Sequence, residues 1–146
     1  MKSGTRVLFA RFILVAFVAV LAPRAAAEGK KPVPPTAAET AAAQKSPQAK
    51  VYADFLRAMQ KEDLGALRKL FTKEQAKNLD DPDAKKMVKM VKMMSATDIK
   101  VLKVIETGDK ADLTVSGKQD GNVASGVVHM AKEGGAWKVE REEWKN

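Results

Sequence analysis

Few side chains in this 146-residue chain are able to do chemistry, and their types narrow it sharply. There is no cysteine, which excludes disulfides, a thiol nucleophile, cysteine-ligated zinc and a lipobox-type anchor. The single histidine, His129, excludes a multi-histidine metal site, and a Ser-His-Asp arrangement would have to be built around it alone. His129 alternates in step with Val127 and Ala131, so it either lines a pocket or serves as a structural residue at the surface. Arg141 alternates in step with Trp137 and Val139. If that face is the interior, Arg141 meets an anionic ligand at a pocket mouth; an exposed rim position spares it the cost of an unpaired buried charge. Glu140, Glu142 and Glu143 read as a solvated acidic edge that discourages strand addition.

The second chemical candidate is the stretch KKMVKMVKMM. Thioethers are soft ligands suited to Cu(I), and Met87, Met90 and Met94 fall on one face of a helix. Ala84, Val88 and Val91 fall on that face too, so it reads as a core stripe with methionine as gap filler, leaving Met93 among the lysines. Lys86, Lys89 and Lys92 would repel a cation. Copper binding through Met87, Met90 and Met94 stands as the alternative, and a basic amphipathic helix on anionic lipid as a third reading.

The elements that position these residues fall into two groups. Ser46-Pro47 is a helix start, a capping serine followed by proline at the first helical position. Val51, Tyr52, Phe55, Leu56 and Met59 follow on one apolar arc. Asp63 caps a second helix with Leu64, Leu67, Leu70 and Phe71 on its buried side. Thr72 with Gln75 is a capping-box pattern for a short third helix to Leu79. Asp81-Pro82 starts a fourth, from Asp83 to about Ser95. From Asp98 to Lys145 the chain reads as four strands with turns at Thr107-Gly108-Asp109, Asp120-Gly121-Asn122 and Glu133-Gly134-Gly135. Ala111, Leu113 and Val115 alternate with Asp112, Thr114 and Ser116, a half-buried strand. The inward set of the third strand, Val123 to Lys132, stays open, because both faces carry small or apolar residues. Short connections imply an antiparallel meander covered by the N-terminal helices, an α+β domain over 46–146.

Residues 1–27 read as a secretory signal. Lys2, Arg6 and Arg11 precede an unbroken apolar run, Phe12 to Ala22, and Ala25-Ala26-Ala27 supplies small residues before a cut that makes Glu28 the new N-terminus. The run is shorter than the roughly 20 residues a membrane span needs, so no stable span is expected after cleavage. Residues 28–45, rich in proline, alanine and lysine, read as a disordered linker. Export without cysteine points to a bacterial periplasmic or secreted protein. The net charge of +8 includes four bases in the leader, with no acid there. The remainder holds 22 bases against 18 acids, so nucleic acid is not an expected partner.

Two short segments carry a family resemblance. Glu62-Asp63-Leu64-Gly65-Ala66-Leu67 resembles the "G-D-x-x-A-L" start of a second helix, with Glu62 in place of the glycine. Gly134-Gly135-Ala136-Trp137-Lys138-Val139 resembles a "D-G-x-W-K-I" last strand. With the helices-then-meander order, these are similar to the nuclear transport factor 2-like superfamily, in its small exported bacterial branch of unknown function; cystatin-like folds share the plan. The resemblance implies a cone of helices on a curved four-stranded sheet, often with a ligand pocket at its open end. That superfamily hosts isomerases, dehydratases, cyclases and non-catalytic binding or dimerising domains, so fold alone does not assign function. In its isomerase branch a tyrosine on the first helix is an oxyanion donor, which Tyr52 loosely matches, but no aspartate matches the base and Asp112 falls on the solvent side. The expectation is therefore an exported non-catalytic domain binding a small ligand or a protein through the cone or the sheet face, with Tyr52, His129, Trp137 and Arg141 as ligand-binding candidates, no cofactor and no metal. The alternatives are an isomerase- or dehydratase-like enzyme using Tyr52 and His129, and a homodimer formed through the sheet.

Overall fold

The computed structural model describes residues 34–145. The expected signal lies outside the described residues, as does the linker up to residue 33. Five helices precede four strands: α1 (Ala37–Lys45), α2 (Pro47–Lys61), α3 (Leu64–Leu70), α4 (Lys73–Ala76) with a 3-10 turn at Lys77–Asp80, α5 (Ala84–Met94), then β1 (Thr97–Thr107), β2 (Lys110–Gln119), β3 (Asn122–Glu133) and β4 (Ala136–Lys145). The strands pair in chain order as one antiparallel sheet, so the fold is the expected α+β meander under helices, in keeping with the nuclear transport factor 2-like plan. Among the described residues no helix is long and apolar enough to cross a membrane.

The starts of α2 and α3 follow the capping chemistry, whereas α5 begins at Ala84 without a side-chain cap, Asp81 Oδ1 instead accepting from the Asp83 amide at 2.7 Å in the turn before it. The Ser46 hydroxyl accepts from the Ala49 amide at 3.1 Å, and Asp63 Oδ1 from the Ala66 amide at 2.9 Å. The third expected helix is one α turn followed by the 3-10 turn, with Leu79 buried at its end. The Thr72 amide donates to the Val139 carbonyl at 3.0 Å, so the α3–α4 junction is tied to β4.

One boundary is corrected. The linker was expected to run to Lys45, but α1 occupies Ala37–Lys45 and packs on β1, so the folded unit starts about ten residues earlier than expected. Its sequence lacks a large apolar residue, yet alanine is the best helix former. Thr36 and Glu39 close a reciprocal capping box, and Ala43, small enough for close approach, is buried.

The inner face of the sheet carries Ala111, Leu113 and Val115 of β2, Val128 and Met130 of β3, and Trp137 and Val139 of β4. The open question about β3 is thereby answered: its inward set is Ala124, Gly126, Val128 and Met130. Tyr52, Phe55 and Leu67 meet this face, with the Phe55 and Phe71 rings edge to face at 5.1 Å. The Asp120-Gly121 turn has positive φ at both residues, 50° and 80°, as a two-residue hairpin matching the strand twist requires.

The methionine stripe is the second correction. Ala84 and Val88 are buried and Met87 half-buried, but Met90, Val91 and Met94 are exposed; Met93, expected among the lysines, is exposed too. Core packing was expected for all of that face. Instead α2 already roofs the sheet, and α5 packs on α2 and the 3-10 turn along a narrow strip. Lys92 fixes its far end, donating to the Gln60 carbonyl at 2.8 Å and to Glu62 at 3.0 Å.

Candidate functional site

Strand β4 is not regular. Met130 pairs with Val139, but the next residue of β3, His129, pairs with Arg141, so Glu140 is an extra residue in a β-bulge. The bulge shifts the alternation by one. Arg141 therefore joins His129 on the outer face, not Trp137 and Val139 on the inner one as expected. Glu142, opposite Val128, turns inward, as does Trp144 opposite Gly126. The expected solvated acidic edge is thus broken at its middle member.

Glu142 meets Tyr52. The tyrosine is 1% exposed on α2, and its hydroxyl donates to Glu142 Oε1 at 2.5 Å. Burial pushes the Glu142 carboxyl above the usual carboxylate range, and the Tyr52 hydrogen bond pulls it part of the way back. The Tyr52 phenol is pushed up by burial, then by the adjacent Glu142 charge and by the hydrogen bond it donates. Tyr52 therefore stays a donor at any ordinary pH. Glu142 Oε2 makes no hydrogen bond among the described residues and is not fully buried.

Two clefts meet at this carboxylate. The larger, about 290 Å³, lies between α2, the α4 region, α5 and β4; its apolar lining includes Phe55, Met59, Phe71, Met87, Val88 and Val139, and its polar lining is Gln75, Asn78, Glu140, Arg141 and Glu142. The smaller, about 200 Å³, is lined by Phe55, Leu56, Met59, Lys92, Ile99 and Glu142 among others. Phe55, Met59 and Glu142 belong to both. The arrangement can hold an apolar body and offer it one carboxyl oxygen.

The outer face carries a separate polar row. His129 Nδ1 lies 2.7 Å from Asp112 Oδ1, Arg141 Nη1 lies 3.1 Å from Glu143, and His129 Nε2, buried without a hydrogen bond, lies 3.5 Å from Glu143. Tyr52 and His129 are thus on opposite faces of the sheet, and no single ligand atom reaches both. Trp137 is buried on the inner face, with Lys132 Nζ 5.1 Å from its ring centre. Among the described residues no three or more His, Asp or Glu side chains are grouped to hold a metal.

Glu142 is the residue that sequence reasoning missed. A signal was present: Trp137 and Val139 are odd-numbered, Trp144 is even, and all three are large apolar residues needing one face. That parity change requires an extra residue between them.

The family described as "Domain of unknown function (DUF4878)" matches residues 35–140. No curated protein matches the chain. Among solved structures, the chain is similar to an NTF2-like protein of unknown function from Silicibacter pomeroyi, at 16% identity over 75% of this chain and 98% of that one, with a TM-score of 0.48. It is similar to an NTF2-like protein of unknown function from Cytophaga hutchinsonii, at 14% identity over 67% and 89%, with a TM-score of 0.40. A de novo designed protein with a curved β-sheet matches at 17% identity over 67% and 96%, with a TM-score of 0.43.

Proposed function

The chain belongs to the DUF4878 family of domains of unknown function, and from that premise we propose that it is an exported, non-catalytic binding domain. Its ligand is a small, mainly apolar molecule bearing one hydrogen-bond donor. The body lies in the larger cleft and the donor meets Glu142 Oε2. The observation that carries this reading is the carboxyl with one bonded oxygen in the wall of a cleft whose other lining is mainly apolar, with Gln75, Asn78, Glu140 and Arg141 along it. A carboxyl in that position gains from a donor what it lost on leaving water. The leader supports export, and the separation of Tyr52 from His129 speaks against the enzyme alternative built on that pair.

N-phenyl-1-naphthylamine, a fluorescent apolar probe with one N–H donor, tests the reading. The full chain should bind it with a blue-shifted emission. Glu142→Leu should weaken binding roughly 10-fold, the worth of about one hydrogen bond to a charged or polar partner. Val88→Trp, which fills the cleft, should abolish it. Binding indifferent to both substitutions would remove the cleft from consideration.

A further inference from the structure

Helix α5 presents apolar side chains where water should be. Met90, Met93 and Met94 are 57%, 73% and 65% exposed, and Val91 is 48% exposed. The same helix carries four lysines and no acid between Ala84 and Met94. Two of these are engaged: Lys86 pairs with Asp83 at 2.9 Å, and Lys92 turns back to Gln60 and Glu62. Lys85 and Lys89 make no ion pair among the described residues. At about 100° per residue, Met90 and Met94 lie on one flank of the exposed arc, Lys85 and Lys89 on the other, with Met93 between. Exposed apolar side chains bordered by unpaired cations are complementary to a surface that is greasy within and negative at its boundary.

We infer that α5 docks the domain on an anionic phospholipid surface, with the three methionines entering the headgroup boundary and Lys85 and Lys89 facing lipid phosphates. An 11-residue helix is about 16 Å long, roughly half a bilayer core, so α5 lies in the plane of the surface. Met87 and Val91 also line the larger cleft, so the apolar surface runs from the docking face into that cleft. The inference does not depend on the cleft being occupied. Copper binding through the same thioethers is disfavoured by the lysine charge.

The chain has no cysteine, so Met93→Cys creates a unique thiol for a bimane label. The labelled full chain is mixed with phosphatidylcholine vesicles with and without phosphatidylglycerol. Emission should shift to the blue only when phosphatidylglycerol is present, and the shift should recede with added salt. Replacing Lys85 and Lys89 by Gln should weaken the interaction about 30-fold, from roughly 1 kcal/mol per lysine at an anionic surface. The leader's apolar run could itself carry the chain onto vesicles, but it would not bury position 93. A label that stays water-exposed while the chain sediments with anionic vesicles overturns the inference. So does a shift that ignores the two lysines. Cu(I) quenching of the label without any response to lipid also overturns it, in favour of a metal site.

Discussion

Removing the Tyr52 hydroxyl is the sharpest perturbation this architecture offers. Tyr52→Phe keeps the buried ring, so the apolar contacts with Phe55 and the sheet survive. What goes is the donor to Glu142 Oε1, leaving a half-buried carboxylate oxygen without a partner. A hydrogen bond to a charged group is worth about 1.5–3 kcal/mol, so the cost at pH 7 should be about 2 kcal/mol. For a folded unit of this size, that is a fall in Tm of roughly 8 °C. The pH dependence supplies a second readout. Burial raises the folded Glu142 carboxyl above its unfolded value, so its contribution to stability is fully present below the unfolded carboxyl range and is lost as pH rises through the folded value. Tyr52→Phe removes the contact that holds this carboxyl down and should extend that loss to higher pH. Glu142→Gln removes the titration and should abolish this component. Urea unfolding of both single variants and the double variant, at acidic and neutral pH, gives the coupling directly. A coupling of about 1–2 kcal/mol at pH 7 is expected for groups in contact. A Tyr52→Phe cost below about 0.5 kcal/mol, with no coupling to Glu142, would refute the reasoning, since groups that do not touch behave additively.

Three other expectations follow from separate features. Gly126→Ala should destabilise by about 1–3 kcal/mol in urea melts, because its Cβ would stand 2.8 Å from the Glu143 carbonyl and 2.9 Å from the Trp144 ring. Thr36→Ala should lower stability by about 0.5–2 kcal/mol and speed amide exchange in α1; no effect on either would mean that α1 lies outside the cooperative unit. N-terminal sequencing of the protein recovered from outside the cytoplasm should begin at Glu28. The intact Met1 form in the membrane fraction would speak for an anchor instead.

The fold was legible wherever local chemistry and periodicity agree. Ser46-Pro47, Asp63 and Thr72 announced helix starts through side-chain oxygens that meet free amides, and those bonds are made. The glycine turns and the alternation of β2 set out the meander. The site was less legible, because it depends on one inserted residue. Alternation read through Glu140 sends Arg141 inward and Glu142 outward, and the bulge reverses both. Tyr52 was correctly placed on the apolar arc of α2, but its partner was hidden by that change of phase. α1 was read as part of the linker because small residues can bury a face without an amphipathic pattern. For α5 the spacing identified an apolar stripe, but spacing does not say whether another element covers it.

The inward turn of β4 and the binding role of the cleft both rest on the state of one carboxyl group. Carbon NMR of the Glu142 side-chain carboxyl, followed across pH with and without N-phenyl-1-naphthylamine, reports it. The expected result is a carboxyl that titrates above the exposed glutamates, rises further in Tyr52→Phe, and shifts when the probe is added. A Glu142 signal that titrates with the exposed glutamates and ignores the probe would contradict both the inward turn of β4 and the binding role assigned to the cleft.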